Sequence, residues 1–241
     1  MRCLSRNQVK WIAMISMLID HCAVAFVAKE SLWYILMRWV VGRIAFPLFA
    51  VLFIDGFFRT KHPWRHVVDL GIFALLSDPG YDRVISKSWF TLKTQSVMLT
   101  WMICFVMMII LNRLYMMYQS GTLDQTFWFF GSVALIILFA AVGELLNIDY
   151  TWCGPLAVGI GLMVYYYKPS LVWVAFAVCT CLTCASMKPG VMLAIPIVWC
   201  YDPIRKCKRN KLVKYSSYAF YPVHLAVLGV IMELIKRIPP A

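Results

Sequence analysis

Charged residues are few in this 241-residue chain: they make up 14% of it, and only 11 are acidic. A soluble domain carries roughly a quarter charged residues and is about half apolar. Here 62% of residues are hydrophobic and the mean hydropathy is +0.76. That leaves too little polar side chain to cover a globule in water, so a water-soluble fold is excluded and a polytopic membrane protein is expected. No separate polar domain, repeat period or low-complexity linker stands out, and residues 1–241 read as one domain. No small-residue cleavage site follows the first apolar run, so that run is read as a retained helix and not as a removed signal peptide.

Metal-ligand spacings are also missing. The nine cysteines are odd in number and scattered, which argues against a full disulfide framework. Cys179, Cys181 and Cys184 lie close enough to suggest a soft-metal site. No histidine or carboxylate lies near them in sequence, however, and small polarisable residues suit helix contacts in lipid. No metal is expected. The net charge of +12 gathers at span ends and in two loops. That pattern fits topology signals and contacts with anionic lipid or an anionic cofactor; no nucleic-acid partner is expected.

What the chain does have is hydrophobic runs long enough to cross a bilayer. They fall at approximately 8–28, 34–58, 67–85, 96–117, 126–146, 151–167, 170–187, 190–201 and 215–236. The fold class expected is all-α: a polytopic integral membrane helical bundle of about nine or ten transmembrane helices. Proline and glycine predict a break in the third run at Ser77-Asp78-Pro79-Gly80. The eighth run is short and carries Pro196. The N-terminal flank (Arg2, Arg6, Lys10), loop 59–66 and loop 202–214 are basic. Nine spans with a cytoplasmic N-terminus put all three on the cytoplasmic side, as the positive-inside rule requires, and put Arg83, Lys87 and Lys93 outside, against it.

Ionisable residues inside these runs are the candidates for function, because each is disfavoured by roughly 2.5–3.5 kcal/mol at a helix centre. Asp20 and His21 lie in the first run, Arg38 and Arg43 in the second, Asp78 in the third and His224 in the last. At 1.5 Å per residue, His21 and Arg43 come to similar depth on consecutive helices, and Asp78 and His224 come near the midplane. Pro47 and Pro222 each remove a helical hydrogen bond beside one of these residues. One shared hydrated cavity is expected. His21 suits a general base, with an unperturbed pKa near 6.5. Asp20 is adjacent, but helical neighbours diverge by about 100°, so it either orients His21 or pairs with an arginine elsewhere. Asp55 is placed to pair with Arg59 at i,i+4. His62 and His66 fall in the basic loop with Arg59, Lys61 and Arg65, which reads as a solvated topology loop or as a face for a polyanion such as coenzyme A.

The motifs occur in a recognisable order: Ile19-Asp20-His21, then Gly42-Arg43-Ile44-Ala45-Phe46-Pro47, Ile54-Asp55-Gly56-Phe57, Leu76-Ser77-Asp78 and Tyr221-Pro222-Val223-His224. Over essentially its whole length the chain resembles the TraX family of membrane proteins. It departs from the family pattern at Asp55, where glutamate is usual, at Ser77–Asp82, and at Ser96–Thr100. The resemblance implies a multi-pass protein of the bacterial inner membrane, related to transmembrane acyltransferases. It implies transfer of acetyl from cytoplasmic acetyl-CoA to an amine or hydroxyl on an unknown protein or envelope acceptor, pilin N-termini being the founding case. His21, Asp20 and His224 are the catalytic candidates. Arg43, Arg38, Asp55, Arg59, Asp78 and Arg65 are the candidates for binding substrate. Two other classes stay open on the residues alone. Midplane charges and prolines also build transporter or flippase sites, and polar groups in lipid also serve as helix glue in a non-catalytic scaffold.

Overall fold

The computed structural model describes residues 3–91, 94–167, 189–202 and 211–237, with residues 189, 211–217 and 237 as backbone only. The run expected over 170–187, the cysteine cluster at 179–184, Cys207, Lys93 and the cations Arg205, Lys206, Lys208 and Arg209 lie outside the described residues.

Every regular element among the described residues is helical. Five helices are long and apolar enough to cross a membrane: α1 (Arg6–Phe26), α2 (Leu32–Phe57), α4 (Val97–Gln119), α5 (Gln125–Leu145) and the Tyr218–Lys236 part of α8. Between them lie α3 (Pro63–Ile85), α6 (Cys153–Tyr167), and a short 3₁₀ turn (Pro189–Leu193) leading into α7 (Ala194–Trp199). The last helix, α8, runs Lys211–Arg237. Large apolar side chains such as Leu75, Phe127, Phe130, Leu138, Leu145 and Leu234 stay exposed on these helices. Such residues suit a solvent of lipid tails, and the chain is a helical membrane protein.

Local sequence explains the helix starts. Ser5 and Gln8 form a capping box at the head of α1, each side chain bonded to the other's backbone amide. Asp124 caps α5 through the amide of Phe127. Helix α2 is wound unevenly: it passes from α (Leu32–Tyr34) to π (Ile35–Val41), then 3₁₀ (Gly42–Ile44), then α again (Ala45–Phe57). Such switches leave carbonyls short of partners, which lipid cannot supply. The Ser16 hydroxyl of α1 donates to Val41 O at 2.6 Å. Gly190 lies against the carbonyls of Trp39 and Val40 so closely that a Cβ there would fall 2.2 Å from Val40 O.

The break expected at Ser77–Gly80 does not occur. Helix α3 continues through Pro79 to Ile85. A proline removes one helical hydrogen bond, but a helix held on both flanks stays wound. Ser77 bonds back to Phe73 O within the same helix. Gly80 lets the backbone of α8 approach, a Cβ there lying only 3.0 Å from Ala226 N and Leu225 C. The Pro-Gly pair is therefore a packing notch. Arg83, expected in an outer loop, is instead 1% exposed in α3, where it bonds Glu233 of α8 at 2.6 Å.

Helix α1 packs on α2, α8 and α3, while α3 packs on α8 and α4; α4, α5 and α6 pack on one another. Two of the sequence's basic stretches, the N-terminal flank and loop 59–66, meet at one end. Arg6 and Arg59 both pair with Asp55, and the Tyr201 hydroxyl donates to the same carboxylate at 2.9 Å. His66 is not in a solvated loop. Helix α3 begins at Pro63, which sets His66 among Phe53, Phe105 and Tyr218.

Gly80→Leu is expected to overpack the α3–α8 contact and destabilise the protein by about 1–3 kcal/mol. Gly131→Leu, with nothing within 4 Å of its Cβ position, should stay within about 0.5 kcal/mol. Thermal unfolding of the two detergent-solubilised variants checks the contrast.

Candidate active site

Helices α1 and α8 bring the two intramembrane histidines together. His21 Nδ1 lies 2.7 Å from His224 Nε2, and the rings are within 15° of parallel. Both are buried. His224 Nδ1 lies 2.7 Å from Phe220 O, one turn earlier in α8. A carbonyl only accepts, so His224 Nδ1 carries a hydrogen and donates it. With both rings neutral, His224 Nε2 is then an acceptor and His21 Nδ1–H the donor to it. One lone pair is left over, on His21 Nε2. The chain of bonds fixes the tautomer of each ring and leaves His21 as the basic end.

Asp20 does not orient His21; its carboxylate turns to α2. Arg38 Nη1 lies 3.5 Å from Asp20 Oδ2. Gly42 makes room for this, since a Cβ there would fall 2.5 Å from Asp20 Oδ1. The 100° divergence of helical neighbours decides the outcome: the buried face of α1 gives His21 to α8 and Asp20 to α2. The π segment then sets Arg38 and Arg43 around one indole, their guanidinium carbons 5.2 and 4.6 Å from the Trp39 ring centre. Arg43 also hydrogen-bonds the Tyr150 hydroxyl.

Asp149 completes the electrostatics. It accepts from the Tyr81 hydroxyl at 2.9 Å and lies within electrostatic reach of Arg38 and Arg43. Both arginines act in turn on His21. Two guanidiniums, Arg38 and Arg43, are thus balanced by two carboxylates, Asp20 and Asp149, beside a histidine pair. The balance is electrostatic more than hydrogen-bonded. Asp20 Oδ1, Arg38 Nη1 and Arg43 Nε are buried with no hydrogen-bond partner among the described residues. Buried polar atoms are nearly always bonded, so these three keep capacity for another polar group.

Of the other expected site residues, Asp55, Arg59 and Arg65 lie elsewhere, while Asp78 stays within electrostatic reach of Tyr221, whose ring packs on both histidines. Asp55 takes Arg6, a two-nitrogen contact from Arg59 at 2.9 and 3.0 Å, and Tyr201, which saturates it. Arg6 and His21 are 15 residues apart in α1, so this hub sits roughly 22 Å along the helix from the histidines. Asp78 accepts the backbone amide of Ser96 at 3.3 Å, at the head of α4. Arg65 is exposed near the start of α3. The spacing of the motifs gives no sign of Tyr81, Asp149, Tyr150, Trp39 or Ser16, which the fold adds to the cluster. Asp149 reads in sequence as an ordinary loop carboxylate between two apolar runs.

The family model described as "TraX protein" matches residues 5–232. A curated relative, "Probable fimbrial assembly protein FimC, serogroup H1" of Dichelobacter nodosus, is 27% identical over 249 residues, covering 93% of this chain and 94% of its own. No solved structure matches.

Isotope-edited NMR of labelled imidazoles is expected to show His21 and His224 as Nδ1–H tautomers at neutral pH. His224→Phe should remove the hydrogen-bonded Nδ1–H signal of His21. A His21 signal unchanged by that substitution would place its partner elsewhere.

Proposed function

The chain belongs to the TraX family, and from that premise we propose that it is an inner-membrane acetyltransferase serving fimbrial or pilus assembly. Its donor is cytoplasmic acetyl-CoA and its acceptor an amine or hydroxyl, such as the amino terminus of a pilin-like protein. Nine or ten spans and a cytoplasmic N-terminus go with this reading. It is supported by the gathering of Arg6 and Arg59 on Asp55 at one end of the bundle. The phosphates of coenzyme A are assigned to that basic end, where Arg65 is exposed, and the thioester to the histidine end.

One observation carries the proposal: the His21–His224 pair lies beside two guanidiniums whose hydrogen-bonding capacity is not used up. The acceptor nitrogen attacks the thioester carbonyl carbon, and His21 Nε2 takes its proton. His224 accepts the His21 Nδ1–H bond throughout and so stabilises the imidazolium. Arg43 and Arg38 offset the charge that develops on the carbonyl oxygen. The carbon–sulfur bond then breaks, and coenzyme A leaves as a thiolate that recovers the proton from His21. The products are the acetylated amine and free coenzyme A.

Protein in lipid nanodiscs is expected to transfer label from acetyl-CoA to a short peptide with a free amino terminus. His21→Ala should lower the rate by about 10²–10⁴ and Arg43→Gln by about 10²–10³, each read on protein shown to be folded. Undiminished transfer in folded His21→Ala would dismiss the assignment. Coenzyme A alone should raise the thermal midpoint, and less so in Arg65→Glu.

A further inference from the structure

At the end of α1 away from the histidines, the N-terminal segment is bonded to the turn after α7. The amides of Cys3 and Leu4 both donate to Cys200 O, at 2.9 and 2.8 Å, and the Asp202 amide donates to Leu4 O at 2.9 Å. Leu4 and Tyr201 form a parallel bridge. The Cys3 amide on the Cys200 carbonyl sets the two residues side by side, and the two thiols are hydrogen-bonded to each other. Both flanks are anchored, because Arg6 and Tyr201 converge on Asp55. The other described cysteines differ. Cys104 and Cys153 are buried and Cys22 lies within α1, whereas Cys3 is exposed and Cys200 partly so.

We propose that Cys3 and Cys200 form a dithiol site that a small-molecule disulfide converts to an intramolecular disulfide. The Cys3 thiolate attacks one sulfur of the oxidant, its S–S bond breaks, and one small thiol leaves. The Cys200 sulfur then attacks the Cys3 sulfur of the mixed disulfide and expels the second small thiol. Two protein thiols are oxidised, the oxidant is reduced to two thiols, and the two protein protons end on them. The order follows from access and acidity. Cys3 is the exposed partner, while the hydrogen bond with Cys3, with burial second, pushes the Cys200 thiol above its ordinary value. In a reducing compartment such a bond is transient and responds to redox state. It would tie the N-terminus covalently to the turn beside the Asp55 hub. The site does not depend on acetyl transfer, and its test does not read that activity.

The full-length protein, folded in detergent, is treated with glutathione disulfide, alkylated, digested and mapped by mass spectrometry. The expected product is a Cys3 peptide linked to a Cys200 peptide, two hydrogens lighter than the separate pair and released by dithiothreitol. Cys200→Ser should instead trap glutathione on Cys3 as a mixed disulfide. Recovery of both peptides fully alkylated after oxidant, or of Cys3 linked to another cysteine, would overturn the proposal.

Discussion

Lipid offers no hydrogen bonds, and the rest of this structure follows from how α1 and α2 meet that constraint. Helix α2 abandons regular winding across Ile35–Ile44, which releases carbonyls that no water can satisfy. Ser16 of α1 and the Gly190 turn close over them. The same irregular stretch sets Arg38 and Arg43 toward Trp39 and the Asp20 carboxylate. Gly42 is what lets the two helices come near enough for this: with any side chain there, Asp20 would be displaced. Backbone irregularity, small residues and buried charge are therefore one arrangement. None of the three would persist in lipid without the other two.

Helix α1 carries a polar group near each end, and the two ends differ in kind. Near its start, Arg6 joins Arg59 and Tyr201 on Asp55 and uses up that carboxylate. Near its other end, Asp20 and His21 point to different neighbours, one to α2 and one to α8. A saturated ion cluster of the first sort fastens helices and is hard to use for anything else. The second sort sets opposite charges against one another while Asp20 Oδ1, Arg38 Nη1 and Arg43 Nε have no hydrogen-bond partner among the described residues.

Sequence periodicity and cost of burial reached a good part of this. An imidazole and a guanidinium at matching depth in α1 and α2 were legible because each is disfavoured in lipid, and the i,i+4 pairing of Asp55 with Arg59 followed from helix geometry. The partner of His21 was not legible as such, since His224 lies 203 residues away and only the packing of α8 on α1 joins them. Pro79 misled because proline signals a break only when nothing else grips the helix, and here α8 grips it at Gly80. Arg83 misled for a related reason: its charge counted toward loop topology, while Glu233 on a distant helix neutralises it inside the bundle. Tyr81, Asp149 and Tyr150 were invisible because their role comes from the fold around them. In sequence they are an aromatic and two ordinary residues between spans.

The contrast between saturated and unsaturated clusters also bears on why helix glue is a poorer account of the histidine site than of the Asp55 hub. Glue gains most when every buried donor and acceptor is paired, because an unpaired one costs about 1–3 kcal/mol. At the Asp55 hub that condition is met. At Asp20, Arg38 and Arg43 three buried atoms have no hydrogen-bond partner among the described residues, which under the proposed acetyl transfer is capacity left for a reactant. A site that must bind and release a polar reactant cannot give that capacity up. Its groups have to be held in place by other means, here by opposed charges, the Trp39 ring and the close approach at Gly42. The histidine pair extends the same logic to a proton: Phe220 O holds His224, His224 holds His21, and the one basic nitrogen left over is what proton transfer requires.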